Sequence, residues 1–81
     1  MRITVRYFAQ LKEELNRDSE VLNLGNRASP EEVLQKIFPV AERRRAMKRY
    51  LRVAINSEYA DMGDPLRDGD ELVFIPPVAG G

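Results

Sequence analysis

The amino-acid sequence predicts an α+β fold: a mixed four- to five-stranded sheet with one main helix packed on one face, plus short helices. Three observations predict it. Segments that alternate in polarity stand near both ends of the chain, Arg2 to Phe8 and Glu71 to Ile75, and a period of two belongs to half-buried strands. Between them lies one amphipathic helix with a clear start, Ser29-Pro30-Glu31-Glu32, followed by Val33, Leu34 and Ile37. Two strands precede that helix and two or three follow, all too short for the repeated crossovers of a doubly wound sheet.

In the first strand Ile3, Val5 and Tyr7 share one side and Thr4, Arg6 and Phe8 the other. Leu11 and Leu15, four apart in a polar stretch, read as a helix of about two turns. Glu20 to Leu24 is a second strand with Leu22 and Leu24 inward, closed by Gly25-Asn26. At the main helix Ser29 suits the cap, Pro30 the first helical position and Glu32 the capping-box partner, and Pro39 ends the run. Val40 to Tyr50 reads as a further helical segment that turns Met47, Tyr50 and Leu51 toward the core. Leu51, Val53 and Ile55 then alternate with Arg52 and Ala54 as a strand, and Asn56-Ser57 turns into a brief strand over Glu58 to Ala60. Turn formers crowd from Asp61 to Asp70. In the last strand Leu72 and Phe74 face one way, Val73 and Ile75 the other. No repeat or linker divides the chain, so one domain is expected over 1–81, with a flexible tail over 76–81.

With 81 residues the chain has little room for a deep buried pocket, which argues against a self-contained enzyme. Thirteen basic and thirteen acidic residues cancel, leaving no overall field to hold a polyanion, so no nucleic acid is expected as partner. No apolar run approaches the roughly 20 residues of a membrane helix, and Met1-Arg2-Ile3-Thr4-Val5 lacks the apolar stretch of a signal peptide. A cytoplasmic protein without a membrane partner is the expectation. Cysteine and histidine are absent, which removes disulfides, thiolate nucleophiles, Cys/His zinc sites and imidazole-based triads. Asp61, Asp64, Asp68, Asp70 and Glu71 invite a calcium reading, but Leu66 stands where such a loop needs an oxygen ligand, so they read as turn residues and no metal is expected. Arg43, Arg44, Arg45, Lys48, Arg49 and Arg52 read as a solvated basic helix face.

Four stretches carry a family resemblance: Tyr7-Phe8-Ala9-Gln10-Leu11, Val53-Ala54-Ile55-Asn56 leading to Glu58-Tyr59, Pro65-Leu66-Arg67-Asp68-Gly69-Asp70-Glu71-Leu72, and the ending Pro76-Pro77-Val78-Ala79-Gly80-Gly81. Over essentially its whole length the chain resembles the MoaD family of ubiquitin-like β-grasp sulfur carriers, the small subunits of molybdopterin synthase. The resemblance implies that Gly81 is adenylated by an E1-like adenylyltransferase (MoeB type) using ATP, then converted to a thiocarboxylate with sulfur from a sulfurtransferase or cysteine desulfurase. It further implies a large-subunit partner (MoaE type), in a heterotetramer, that uses this sulfur to build the dithiolene of molybdopterin from cyclic pyranopterin monophosphate. The carrier itself is then a non-catalytic donor that binds no cofactor. Ile75 departs from the family, standing where an aromatic residue is common, and the Arg43 to Arg49 stretch is unusually basic.

The tail suits that chemistry. A free carboxylate is a poor electrophile and must be joined to a leaving group such as AMP before a sulfur nucleophile can displace it. Six residues beyond the last strand span at most about 20 Å, enough to carry a carboxyl into a partner. Pro76 and Pro77 stiffen the base and lower the entropy lost on threading, whereas Gly80 and Gly81 let a narrow channel close on bare backbone. A frayed end is the plainer reading, but at glycine's usual share a chance Gly-Gly ending is on the order of one in 200.

Strand parity sets Phe8 and Ile75 on the face of Thr4 and Arg6, away from the helix, where apolar groups mark a docking patch. The resemblance adds Tyr59 to these two as the large-subunit contact, and the tail residues Pro76, Pro77, Val78, Ala79 and Gly80 as the part that enters the partner. A carrier for thiamine, cysteine or tRNA thiolation, or a ubiquitin-like modifier joined to lysines, shares the same activation step and stays open.

Overall fold

The computed structural model describes residues 1–76. Chain order is β1 (Arg2–Tyr7), α1 (Ala9–Leu15), β2 (Ser19–Asn23), α2 (Pro30–Ile37), α3 (Ala41–Lys48), β3 (Arg52–Ile55), β4 (Glu58–Ala60) and β5 (Glu71–Ile75). The strands form one mixed sheet in the order β2-β1-β5-β3-β4. Its centre is the parallel pair β1 and β5, with Val5 opposite Leu72 and Tyr7 opposite Phe74; the other pairings are antiparallel. This is the expected β-grasp arrangement, with the helices gathered on one face.

The alternation explains the layering. Ile3, Val5, Tyr7, Val53, Leu72 and Phe74 are all buried on the inner face, where Val33 and Leu34 of α2 meet them. At about 25 cal/mol for each Å² of apolar surface removed from water, this contact is the main source of stability. Leu11, from the short α1, fills the same core and is fully buried.

Tyr7 carries its one polar atom to the rim of that core. Its hydroxyl donates to Glu20 Oε2, which also accepts from Arg17 Nε at 2.7 Å. Burial pushes the phenol's pKa well up, and the Glu20 carboxylate adds to the shift.

Two expectations need correction. Ser29 occupies the N-cap of α2, yet its side chain makes no capping hydrogen bond; instead the Glu31 amide donates to the Met62 carbonyl at 2.9 Å. The loop before β5 thus satisfies the amide of the second helical residue, one of the helix-end donors left without a partner inside the helix. Tyr50 does not reach the core: it is 64% exposed. The chain folds tightly after α3, the amides of Tyr50 and Leu51 both meeting the Met47 carbonyl, so Leu51 takes the inward place and its neighbour is turned out.

The basic stretch is partly absorbed by structure. Arg43 pairs with Glu14, and Lys48 lies 2.8 Å from Glu31. Arg44 donates to the carbonyls of Phe38 and Pro39 at 2.9 and 3.3 Å, placing a cation at the C-terminal end of α2, where the helix dipole favours it.

Asn56 and Ser57 both have positive φ, 51° and 71°, the type I′ signature of a two-residue hairpin. The Asn56 side chain then ties the hairpin to β5: Nδ2 donates to Asp70 Oδ1 at 2.8 Å and Oδ1 accepts from the Glu71 amide at 2.9 Å. The buried Asp70 carboxylate also accepts from the Arg67 amide at 2.8 Å. Gly69, at φ 87°, supplies the left-handed residue this turn requires.

Candidate functional site

With the helices on the inner face, the outer face of the sheet is left open. One row of paired residues crosses it: Arg6 opposite Val73, Val73 opposite Ala54, Ala54 opposite Tyr59. The next row lies where β5 leaves the sheet, with Ile75 opposite Arg52 and Phe8 one residue beyond the Tyr7–Phe74 pair. Phe8, Ile75 and Tyr59 therefore share the face that parity and resemblance assigned them. Phe8 is 48% and Tyr59 74% exposed, and Ile75 and Val73 are half-buried.

Local chemistry fixes the patch. Phe8 is the N-cap of α1, one residue past the end of β1, and Ala9 turns the chain at once with φ 50°. The Arg6 guanidinium lies 5.9 Å from the Phe8 ring centroid, within cation–π range, and 3.7 Å from Glu71 Oε2. A cation thus bridges the aromatic and acidic ends of the face and limits where the Phe8 ring settles.

At the exit of β5, a groove is lined by Arg49, Tyr50, Leu51, Arg52, Tyr59, Ile75 and Pro76. Pro76, the first residue of the expected tail, is buried, so the tail has an anchored root. Pro77, Val78, Ala79, Gly80 and Gly81 lie outside the described residues. Reading the sequence placed Arg6 on this face and Val73 beside Ile75, but missed Ala54, which joins them through its pairing with Val73. It also missed the groove, because Tyr50 was assigned to the core.

The described face is built for contact. It offers apolar groups, two guanidinium groups and a phenol, and among the described residues no group of three or more acidic side chains is placed to hold a metal. Among them too, no helix is long and apolar enough to cross a membrane.

Comparison with known proteins adds four likenesses. The ThiS family model matches residues 5–81. The molybdopterin synthase sulfur carrier subunit of Chlamydomonas reinhardtii is 34% identical over 83 aligned residues, covering 100% of both chains. Among solved structures, SAMP1 from Haloferax volcanii superposes with a TM-score of 0.79 at 24% identity over 100% of both chains, a likeness of fold. A chain from the complex of subunits 1 and 2 of the molybdopterin-converting factor of Helicobacter pylori gives 0.63 at 26% identity, again over 100% of both.

Proposed function

The chain belongs to the ThiS family, and from that premise we propose that it is the sulfur carrier subunit of a molybdopterin synthase, with Gly81 as its sulfur-bearing residue. The observation that carries this reading is the end-to-end likeness to a sulfur carrier subunit, in a family match that runs to Gly81 itself. The sequence supplies the rest of the argument. A chain without cysteine can carry sulfur only on another group, and a main-chain carboxyl becomes such a group once activated.

In this scheme the Gly81 carboxylate is joined to AMP by an E1-like enzyme that consumes ATP, and a sulfur donor displaces AMP to leave a thiocarboxylate. The large subunit docks on the open face, against Phe8, Tyr59 and Ile75 with Val73 between them, while Pro76 to Gly80 lead the thiocarboxylate into its active site. The carrier then supplies a consumable sulfur to a larger cytoplasmic assembly and holds no cofactor of its own. The solved complex of subunits 1 and 2 from Helicobacter pylori supports a large-subunit partner of this kind.

Intact mass after incubation with an E1-like adenylyltransferase, ATP and a sulfur donor tests the proposal. Exchange of one oxygen for sulfur is the expected result, and it disappears when Gly81 is deleted. Attachment to lysine side chains in place of that exchange would instead mark a protein modifier.

A further inference from the structure

The sheet has two edges, and they are treated differently. β4 is only three residues long, Glu58–Ala60, and a short charged edge gives another chain little to pair with. β2 is five residues long, Ser19-Glu20-Val21-Leu22-Asn23, with no lysine, proline or bulge to guard it.

The pairing phase along β2 fixes which of its groups are free. The Leu24 amide donates to the Met1 carbonyl at 2.8 Å and the Met1 amine to the Leu24 carbonyl at 2.7 Å; at the other end the Tyr7 amide donates to Asp18. In an antiparallel ladder such bonded pairs recur every second residue, so Leu22 and Glu20 bond inward to β1, opposite Ile3 and Val5. The amides and carbonyls of Ser19, Val21 and Asn23 point outward. Among the described residues none of the hydrogen bonds outside the strand ladders, and no side-chain hydrogen bond, involves them. All three residues are exposed, Val21 at 52%.

We propose that β2 is a self-association edge, where a second copy of this chain pairs antiparallel about a two-fold axis through Val21. The strand is complementary to itself in that register. Val21 meets Val21 of the second copy, Ser19 meets Asn23 and Asn23 meets Ser19, so every outward amide and carbonyl finds a partner. No like charges face each other directly. Glu20 falls opposite Leu22, and its carboxylate is already neutralised by Arg17 at 2.7 Å. The joined sheet has ten strands, and its two copies of β5 run antiparallel about 24 Å apart, five strand spacings. Both open faces and both exits of β5 stay clear, so pairing does not compete with docking on the outer face.

An edge of five residues makes a small, transient interface, so the test spans about 10 µM to about 1 mM of the full chain. Sedimentation equilibrium across that range gives a monomer–dimer equilibrium, and amide exchange at high concentration slows at Ser19, Val21 and Asn23 but not at Leu22. Val21→Lys sets two cations face to face on the axis and raises the dissociation constant at least about tenfold. Asn23→Pro removes an outward donor without touching the ladder to β1 and has the same effect. Native circular dichroism confirms that both variants are folded. A chain that stays monomeric to about 1 mM, a dimer untouched by both folded variants, or slowed exchange that appears only when a different polypeptide is added would each overturn the proposal.

Discussion

Tyr7 is an apolar ring with a polar tip, and its position makes it sensitive to alkali. Its folded-state pKa is raised above the usual value near 10. Below pH about 10 both folded and unfolded chains keep the phenol proton, and the contribution of Tyr7 is complete. Above that, the unfolded chain releases the proton while the folded one retains it, so stability falls as pH rises. Urea denaturation at pH 9 and pH 11 should show that fall, and Tyr7→Phe should flatten it. At neutral pH the same variant loses the hydrogen bond to Glu20, worth about 1 kcal/mol, while Glu20 keeps its pairing with Arg17. The outer face makes a different residue-scale prediction. Phe8→Asp and Tyr59→Asp place charge at exposed positions, so they leave the melting temperature within about 2 °C. Each weakens binding to a large subunit by about tenfold or more, measurable by calorimetry, because aromatic anchors dominate such contacts.

At the level of elements, the turn and the helix start behave in opposite ways. Ser29 sits at the cap of α2 without a side-chain bond, so Ser29→Ala should cost less than about 0.5 kcal/mol, where a working cap costs about 1. Ser57 holds φ 71°, a conformation that is unfavourable for any residue with a Cβ. Ser57→Gly should therefore stabilise the β3–β4 hairpin by about 0.5–1 kcal/mol, seen as a higher denaturation midpoint.

These elements also show what the sequence made legible. Alternation placed all five strands to within a residue, and Asn56-Ser57 announced its turn, because both signals are local. The partner of the Glu31 amide was hidden, since Met62 is remote in sequence and only the folded loop brings its carbonyl near. Tyr50 was misplaced for a similar reason: the tight turn after α3 decides whether it or Leu51 faces inward. At the candidate site, parity revealed that Phe8 and Ile75 share a face, whereas Tyr59 needed the pairing of β4 with β3 to join them. Strand order is set by contacts between the ends of the chain, and no local pattern encodes it.

On the scale of the whole molecule, the apolar core lies between α2 and the sheet, and residues 77–81 follow a buried Pro76. Deleting 77–81 should leave the melting temperature within about 2 °C and abolish the oxygen-to-sulfur exchange, separating the fold from the proposed chemistry in one variant. Loss of folding on that deletion would show that the tail is structural.

The parallel pairing of β1 with β5 has a mechanical consequence. Because the two strands point the same way, a pull on the chain's start and a pull on its last residues load the ladder along its length, in shear. The bonds between Thr4–Tyr7 and Glu71–Phe74 must then yield together, not one after another as in unzipping. β5 is also held on its other side by β3. Tension applied at the end of β5 is therefore borne by two ladders at once.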